Sequence, residues 1–571
     1  MKYLLHKIYS YYSNKGLKAT ISKCYDTLKK KDKVYGDWEG IQQNKRYQQW
    51  RLSNQVTEQA LMQQQNEDFE QMPLISIVVP VYNTKPEYLV ELVNSIKKQS
   101  YQNWELCLID GKSNKEETLR LLDSYAEEEQ IVVKHLVENY GISGNTNEGI
   151  KIATGEFIAF SDHDDFWEPD ALYEVVKGIN QSNADMIYTD EDKVNEDSTL
   201  FYEPHFKPDF AIDNLRSCNY ICHLTVVSKK VLDKVGLLDS RFDGSQDHEL
   251  VLRIVEVANC VKHIPKILYH WRQFSTSMSH QYLEVCQEHG RLAVHEHLER
   301  IGMNGEIEQE HGYKINYEIT RKPLISIIVI NQDNTQELIE RLRGIKSYTD
   351  YSNLEFVIAT PNEECVDNKD GFIIVHIEES FNDFKARNLA LQKASGEFLL
   401  FLDEYLVPFE TKWVDELLMF AQRSDVGVVG GKIFSSDENI IYSCEYAYSN
   451  KRRGFIRNFK GLSRNVIGYS GWERMSRNVS ALPIELFMTK KTDFIEVGGF
   501  NELYEVSCAD IEYSLALINE GKLNVFTPFA QMKLIREHLN PLIINKDFQR
   551  FNTIHQGNYV ERYSRDYVND I

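Results

Sequence analysis

A run of acidic side chains follows directly on a short apolar stretch in the first half of the chain. The apolar stretch is residues 156–160, and the run after it reads Ser161-Asp162-His163-Asp164-Asp165. Hard divalent cations prefer oxygen ligands, and Mg²⁺ is usually held by one or two carboxylates together with substrate phosphates. Because Asp162 and Asp164 are two residues apart in a tight loop, both can turn toward one ion. The spacing predicts a cation site, and the alternative is a solvated acidic turn.

The elements around this acidic run are those of an open sheet. The apolar stretch before it is predicted to be a strand, and the segment that begins at Pro169 is predicted to be a helix. Upstream, three further strands alternate with helices, in the order 75–81, 86–99, 104–109, 115–129, 131–137 and 143–153. Such alternation predicts a mostly parallel sheet covered on both faces. Ligands of these sheets bind outside the carboxyl ends of the strands, where the acidic run is expected to lie.

The chain contains an internal repeat. Its matching segments keep one order: Pro73–Val79 with Pro323–Val329, Thr154–Phe160 with Ser395–Phe401, and Val235-Gly236 ahead of Asp247 with Val497-Gly498 ahead of Asp510. Three blocks in one order predict two homologous modules. We therefore predict an α/β protein with two Rossmann-related, mostly parallel sheet domains in tandem behind an N-terminal helical extension. The predicted segments are 1–72 (extension and linker), 73–300 (first module), 301–322 (linker), 323–545 (second module) and 546–571 (tail).

Composition excludes some classes of function. The net charge of -22 over 571 residues argues against a nucleic-acid-binding protein, because no overall positive field attracts phosphates. No apolar run approaches the roughly 18 residues that a membrane-spanning helix needs. The nine cysteines are scattered, with no CxxC pair, and are predicted to be reduced thiols of a cytoplasmic protein.

Residues 1–33 differ from the rest of the chain, because they carry nine lysines against two aspartates. Apolar and aromatic residues are interleaved with these lysines. A basic amphipathic segment of this kind is typical of peripheral contact with an anionic membrane surface. The alternative is a helix that packs on the body of the protein and exposes a solvated lysine face.

The first module carries a series of short motifs in one order: Val79-Pro80-Val81-Tyr82-Asn83, Leu108-Ile109-Asp110-Gly111, Asn139-Tyr140-Gly141-Ile142-Ser143, Asp162-His163-Asp164-Asp165, Tyr188-Thr189-Asp190-Glu191-Asp192, Phe206-Lys207-Pro208, Gly244-Ser245-Gln246-Asp247 and Tyr269-His270-Trp271-Arg272. Together they resemble the inverting nucleotide-sugar glycosyltransferases of the GT-A fold, glycosyltransferase family 2, of the bacterial cell-surface-glycan type. The resemblance covers residues 73–300, and a more distant one covers about 323–540. It implies two GT-A-like domains.

The resemblance also implies roles for individual residues. Asp164 would bind a metal ion, Mn²⁺ or Mg²⁺, directly. Asp162 would face the donor ribose, or the metal through water, and His270 would bind the metal or contact the diphosphate. Asp247 would be the general base, which the weakly nucleophilic acceptor hydroxyl needs. Its alternative is a structural residue in the first turn of a helix, where a carboxylate stabilises the helix by about 1 kcal/mol.

Further residues are implied to bind the nucleotide sugar. Pro80 and Tyr82 would shape the first loop, and Asp110 would accept a hydrogen bond from a pyrimidine base. Asn147 would lie near the donor, and Arg272 would also contribute to donor binding. The family usually has a basic residue directly before this Asn, whereas the present chain has Thr146.

The second module departs from the pattern at its acidic loop. Alignment of the repeats places Asp403 at Asp162, Glu404 at His163 and Tyr405 at Asp164, while Asp510 matches Asp247 and Lys533 matches His270. Two alternatives follow. Either Lys533 or Glu404 replaces the metal function and the module is active, or the module has lost transfer activity and serves packing or glycan binding.

The predicted function is that of a metal-dependent, inverting, hexosyltransferase-type enzyme. Its donor would be a UDP- or dTDP-sugar, and its acceptor a lipid-linked or protein-linked glycan or a growing surface polysaccharide, built on the cytoplasmic side. One alternative is a bifunctional glycan polymerase with two active modules. The other is a glycan-binding scaffold without catalytic activity.

Overall fold

The computed structural model describes residues 41–274, 282–331, 333–362, 372–378, 382–449, 454–536, 541–555 and 562–563. The predicted membrane-contacting segment, residues 1–33, lies outside the described residues. Two helices precede the first module, α1 (Ile41–Asn54) and α2 (Glu58–Gln64). Within the described ranges, no helix is both long enough and apolar enough to cross a membrane.

The first module is built on one large sheet. Its strands are β1 (Ile75–Val81), β2 (Trp104–Asp110), β3 (Ile131–His135), β4 (Phe157–Phe160), β5 (Phe166–Trp167), β6 (Met186–Val194), β7 (Phe201–His205), β8 (Thr225–Ser228) and β9 (Val261–Arg272). They lie in the order β3-β2-β1-β4-β8-β6-β9-β5, and β7 pairs with β6. The first four strands are parallel, and β8 runs antiparallel between β4 and β6.

Helices cover both faces of this sheet, as the alternating pattern predicts. They are α3 (Pro86–Lys97), α4 (Glu116–Tyr125), α5 (Gly141–Ile152), α6 (Ala171–Ser182), α7 (Ile212–Ser217), α8 (Lys229–Val235), α9 (Gln246–Val257) and α10 (Leu283–Arg300), with a 3₁₀ turn at Ser240–Phe242. Helix α5 packs closely on β1. A Cβ at Gly149 would lie only 2.4 Å from a methyl carbon of Val78, so a side chain here would push the helix away from the sheet.

A hairpin of β10 (Gly305–Glu310) and β11 (Gly312–Tyr317) leads into the second module. The strands of that module are β12 (Ile325–Ile330), β13 (Leu354–Thr360), β14 (Phe372–His376), β15 (Phe398–Leu402), β16 (Leu406–Pro408), β17 (Val426–Phe434), β18 (Ile441–Ser443), β19 (Tyr446–Ser449), β20 (Gly454–Arg457), β21 (Arg477–Asn478), β22 (Leu486–Lys490) and β23 (Leu523–Leu534). Its helices are α11 (Thr335–Tyr348), α12 (Asp383–Leu391), α13 (Trp413–Ala421), α14 (Lys491–Val497), α15 (Ala509–Asn519) and α16 (Pro541–Ile554), with a 3₁₀ segment at Tyr469–Arg474.

The two large sheets confirm the predicted duplication. The second runs β14-β13-β12-β15-β22-β17-β23-β16, which reproduces the first sheet strand for strand. The registers also agree, because β1 meets β4 at Ile75 and Phe157 as β12 meets β15 at Ile325 and Phe398. The fold is therefore α/β with two mostly parallel sheet domains in tandem, as predicted. One hydrophobic core contains buried residues of both modules, so the modules pack directly on each other.

Candidate active site

A cleft opens at the carboxyl ends of β1 and β4 in the first module. Asp162 and Asp247 both line it, together with Pro80, and other parts of the wall come from Phe160, Asn219, His223, Thr225 and Leu238. Two acidic residues that lie 85 positions apart in the sequence therefore face one crevice. The position at the strand ends is where open parallel sheets bind their ligands.

The acidic loop forms one side of the cleft. Asp162 is partly exposed, Asp164 less so, and Asp165 is fully buried. Asp165 accepts hydrogen bonds from the Tyr269 hydroxyl at 2.6 Å and from the backbone N–H of Arg272 at 2.7 Å. Burial raises the pKa of Asp165 well above its ordinary value, and the charges of Asp164 and Asp162 raise it further. The loop thus concentrates negative charge that a bound cation would offset.

Burial also raises the pKa of Asp164, and Asp162 adds to the rise, while His163 opposes it. Asp164 was predicted to bind the metal directly. Its side chain is about one quarter exposed and lies 3.9 Å from His163. It belongs to the same loop as Asp162, but it is not among the residues that line the cleft.

His223 is the imidazole that meets the acidic loop. Its ring stacks on Tyr269 with centroids 4.6 Å apart, and its Nε2 lies 3.6 Å from Oδ2 of Asp162. Ligand atoms of Asp162, Asp165 and His223 all lie within 4.8 Å of one another. The Nδ1 atom of His223 is buried and has no hydrogen-bond partner. Sequence reasoning selected neither His223 nor Asp165 as a ligand.

Asp247 lies in the first turn of α9 on the opposite wall. Its Oδ1 accepts the backbone N–H of His248 at 2.9 Å, and its Oδ2 accepts a hydrogen bond from the side-chain amide of Asn219 at 2.8 Å. Both predicted interpretations of this residue agree with its position, because the carboxylate stands at a helix start and also faces the cleft.

His270 does not offer a nitrogen to the cleft. Its Nδ1 lies 2.5 Å from Asp192 and its Nε2 lies 3.1 Å from Glu168, and the side chain is buried. Burial alone would lower its pKa, but the two carboxylates raise the pKa to about 9. At neutral pH both ring nitrogens therefore carry protons, and neither has a lone pair for a metal. This geometry argues against the predicted metal-binding role of His270.

The same carboxylates anchor the N-terminal extension. Tyr47 of α1 hydrogen-bonds Asp192, and Arg51 pairs with Glu168 at 3.0 Å. His270 is thus the centre of a buried ion-pair network that attaches α1 to the first module.

Arg272 also makes its contacts within the protein. Its guanidinium bonds the backbone oxygens of Asp164 and Glu196, the hydroxyl of Ser198 and the carboxylate of Glu91. The side chain is buried. In this structure Arg272 holds the backbone of the acidic loop through Asp164. It is not among the residues that line the cleft, so the structure gives no support to its predicted contact with the donor.

The remaining predicted donor-binding residues divide into two groups. Pro80 lines the cleft, and Tyr82 directly after β1 is 46% exposed, so both are open to a ligand. Asp110 is buried and accepts hydrogen bonds from the Ser113 backbone at 2.9 Å and from His135 at 2.8 Å. Asn147 exchanges two hydrogen bonds with the backbone of Leu238, at 2.8 and 2.9 Å. Asn147 therefore fixes a wall of the cleft and does not project into it.

The corresponding region of the second module is filled by protein. By strand register, Glu485 stands at the position of His223, and Phe487 stands at that of Thr225. Glu485 is buried and paired with Arg457 of β20. The Tyr446 hydroxyl, from β19, donates to Oδ2 of Asp510 at 3.2 Å. The hairpin of β19 and β20 thus occupies the space between the second acidic loop and Asp510.

The acidic loop of the second module is also bonded internally. Asp403 accepts the backbone N–H of Tyr405 at 2.9 Å, and Glu404 accepts a hydrogen bond from Asn331 at 2.5 Å. Lys533, which matches His270 in the alignment, pairs with Glu438. Glu404 and Lys533 therefore contact different residues of the protein.

Residues 76–236 and 323–480 match the family described as Glycosyl transferase family 2. The chain is 33% identical over 491 residues to the uncharacterized protein y4gI of Sinorhizobium fredii, which covers 81% of this chain and 53% of that protein. It is 31% identical over 481 residues to the O-antigen biosynthesis protein RfbC of Myxococcus xanthus, over 81% of this chain and 37% of that protein. It is also 26% identical over 235 residues to the chondroitin synthase of Escherichia coli, over 41% and 34% of the two chains.

The chain thus spans about half or less of the length of these curated relatives. Among solved structures, residues 1–349 of S. aureus TarS in complex with UDP-GlcNAc are 22% identical, with a TM-score of 0.34 over 39% of this chain and 66% of that one. The two family matches together cover more than half of the chain. Sequence motifs, duplicated fold and family match agree, and the chain belongs to glycosyltransferase family 2.

Proposed function

We propose that the first module transfers a glycosyl unit from a nucleoside-diphosphate sugar to a glycan acceptor, with inversion at the anomeric carbon. The observation that carries the proposal is the shared cleft, in which the acidic loop of Asp162 faces Asp247. One wall can hold the charged leaving group, and the other can receive the proton of the acceptor. We assign the activity to the first module alone, because the β19–β20 hairpin fills the equivalent space in the second.

A divalent cation fits the first wall. The donor set is two carboxylates and one imidazole, Asp162, Asp165 and His223, with ligand atoms within 4.8 Å of one another. Oxygen ligands suit Mg²⁺, and a mixed oxygen and nitrogen set suits Mn²⁺. Asp164, the ligand predicted from the sequence, belongs to the same loop but lies outside this set of ligand atoms. A cation held by these residues would offset the negative charge that gathers on the departing diphosphate.

Asp247 is proposed to be the general base. An acceptor hydroxyl is a weak nucleophile at neutral pH, and a carboxylate within hydrogen-bond reach contributes typically 10²–10⁴-fold to the rate. Asn219 holds Oδ2 of Asp247 at 2.8 Å, which orients the carboxylate toward the cleft. The hydroxyl oxygen attacks the anomeric carbon, its proton passes to Asp247, and the bond to the diphosphate breaks on the opposite side.

The donor is proposed to be a UDP- or dTDP-sugar, whose base would lie against Pro80 and Tyr82 at the end of β1. The acceptor is proposed to be a polysaccharide or a lipid-linked or protein-linked glycan of the cell surface. Two relatives support this choice, because one is an O-antigen biosynthesis protein and the other a chondroitin synthase.

The test is a screen of the purified full chain against UDP-, dTDP- and GDP-sugars with Mn²⁺ or Mg²⁺, with released nucleotide as the readout. Asp247→Asn should lower turnover by at least about 10²-fold, since the amide cannot accept the proton. Asp233→Asn, an exposed position on α8, is the matched control and should retain turnover. Equal turnover of the Asp247→Asn variant and the wild type would overturn the assignment of the base.

A further inference from the structure

One stretch of chain contacts both walls of the cleft. Residues 206–224, which we name the bridging segment, run from the end of β7 to the start of β8 and include α7. Near their end, Asn219 donates to Asp247 and His223 approaches Asp162. The relative position of the proposed base and of the acidic loop therefore depends on this segment, which has little regular structure of its own beyond α7.

Within the first module, a buried ion pair holds the end of the bridging segment. Lys207 pairs with Glu191 at 3.2 Å and also donates to the backbone oxygens of Ile221, at 2.6 Å, and of His223. Glu191 in turn accepts the backbone N–H of His223 at 3.1 Å. Burial alone would raise the pKa of Glu191, but Lys207 and His205 lower the pKa to about 2, so the pair is charged.

The outer side of the bridging segment is held by the second module. The side-chain oxygen of Asn478 accepts the backbone N–H of Asp213 at 2.9 Å, and its amide donates to the Asp213 carboxylate at 2.7 Å. The backbone N–H of Asn478 donates to Asn214 at 2.8 Å. Arg423 forms an ion pair with the same Asp213 carboxylate. All of these side chains are buried, so water cannot replace a lost partner at low cost.

Two more contacts extend this interface along the segment. Ser217 donates to the backbone oxygen of Ser476 at 2.6 Å. The Tyr469 hydroxyl accepts the backbone N–H of Phe206 at 2.7 Å and donates to the oxygen of Pro204 at 2.9 Å. The second module thus contacts the bridging segment from its beginning to the end of α7, two residues before Asn219.

We propose that the second module serves as a positioning element for the first, and that Asn478 and Arg423 hold the bridging segment so that Asn219 and His223 reach the two walls of the cleft. This role rests on the proposed function of the first module. It also gives the second module a use that its own filled cleft does not supply. Asn478 and Arg423 are positioning residues, because they act through Asp213 and touch no part of the cleft.

The test compares Asn478→Ala with Asn388→Ala in the full chain. Asn388 is a matched control, because its side chain also accepts one backbone N–H and donates to one backbone oxygen, both of Phe500, within the second module. Both changes should lower the unfolding temperature. Only Asn478→Ala should lower kcat, by about tenfold to a hundredfold, while the donor KM changes less than about threefold, since displacement of a catalytic group by about 1 Å has effects of this size.

A double-mutant cycle tests whether Asn478 affects kcat through Asn219. If Asn478 acts partly through Asn219, Asn478→Ala should lower kcat less when it is added to Asn219→Ala than when it is added to the wild type, because both changes release the same carboxylate. Additive losses in kcat would contradict this route.

Hydrogen exchange provides a readout that does not need turnover. Amides of residues 219–224 should exchange at least about tenfold faster in Asn478→Ala than in Asn388→Ala, because loss of the outer contacts permits local opening. If no sugar nucleotide is turned over by the wild type, the proposed function fails, and the exchange comparison still decides the positioning role. Equal exchange in the two variants would overturn it.

Discussion

Asp510 offers a quantitative test of the difference between the modules. The residue is fully buried in the second module. Burial, and secondarily the charge of Glu485, raise its pKa from 3.8 to about 6, although Arg457 opposes the rise. A shift of about two units corresponds to about 3 kcal/mol of free energy, which the folded state loses when the carboxyl ionises. The loss is absent below about pH 4, where the unfolded carboxyl is protonated as well, and complete above about pH 6.

Asp510→Asn removes this titration and keeps a group of the same shape. Between pH 5 and pH 7.5 the wild type should lose about 1 kcal/mol that the variant does not lose, because roughly half of the shift is already expressed at pH 5. The unfolding temperature of the variant, measured relative to the wild type, should therefore rise by about 2–4 °C over this interval for a module of this size. A constant difference between the two proteins at both pH values would refute the raised pKa.

Turnover of the same variant tests whether the second module has transfer activity. Asp510→Asn should leave sugar-nucleotide turnover unchanged, whereas Asp247→Asn, at the equivalent position of the first module, should lower it by at least about 10²-fold. Loss of turnover in Asp510→Asn at an unchanged unfolding temperature would show that the second module is active and that the chain is bifunctional.

Three further predictions concern the first module. His223→Ala should weaken Mn²⁺ binding, measured by titration calorimetry, by at least about tenfold, because one ligand is lost. His270→Gln should leave Mn²⁺ affinity nearly unchanged. A larger loss of affinity in His270→Gln than in His223→Ala would restore His270 as the ligand. The pKa of His270 is raised to about 9, so its charged form contributes stability that is fully present below about pH 6.5 and is lost as the pH rises through 9. The unfolding temperature of the wild type should therefore fall more between pH 7 and 9.5 than that of His270→Gln. Parallel falls in the two proteins would contradict this prediction. Gly149→Ala should destabilise the protein by about 1–3 kcal/mol, because its Cβ would lie 2.4 Å from Val78. Gly344→Ala should not, because the Cβ would meet no atom within 4 Å apart from its chain neighbours and the backbone of its own helix. Equal unfolding temperatures of the two variants would show that α5 can shift at no cost.

The architecture could be predicted from sequence because its signals are local and repeated. The turn before β4 illustrates this. The Gly155 N–H donates to the Ser76 hydroxyl at 2.8 Å, and the Gly396 N–H donates to the Ser326 hydroxyl at the same distance. Both pairs lie within the repeated blocks. The sequence similarity of the blocks was therefore sufficient to predict that β12 and β15 pack together as β1 and β4 do.

The directions of strand side chains were harder to predict. Tyr269 and His270 are adjacent on β9, and successive side chains of a strand point to opposite faces. Tyr269 points toward the acidic loop, where it contacts His223 and Asp165 behind the cleft wall. His270 therefore faces away, toward Asp192. The motif identified the correct strand end. It could not show which of the two adjacent side chains points toward the acidic loop, because the tertiary structure decides which face of β9 lies on that side.

His223 gave no usable signal in the sequence. It is an isolated histidine, and it reaches Asp162 because β8 inserts antiparallel beside β4, with Thr225 opposite Phe160. The two strands are about 65 residues apart along the chain, and the alternating pattern of strands and helices predicts parallel neighbours. The missing information was the strand order, which sequence periodicity does not contain.

Retention of Asp510 in a filled site has a physical reason that does not involve catalysis. Its Oδ1 accepts the backbone N–H of Ile511 in the first turn of α15, and its Oδ2 accepts that of Ile484 just before β22. Both N–H groups are buried, and an unpaired one costs about 1–3 kcal/mol. Asp247 similarly binds the first turn of α9, but its second oxygen contacts an amide side chain at an open cleft. The same helix-start carboxylate thus serves the fold in both modules, and what separates a proposed base from a structural residue is whether the space in front of it holds Tyr446 or a substrate.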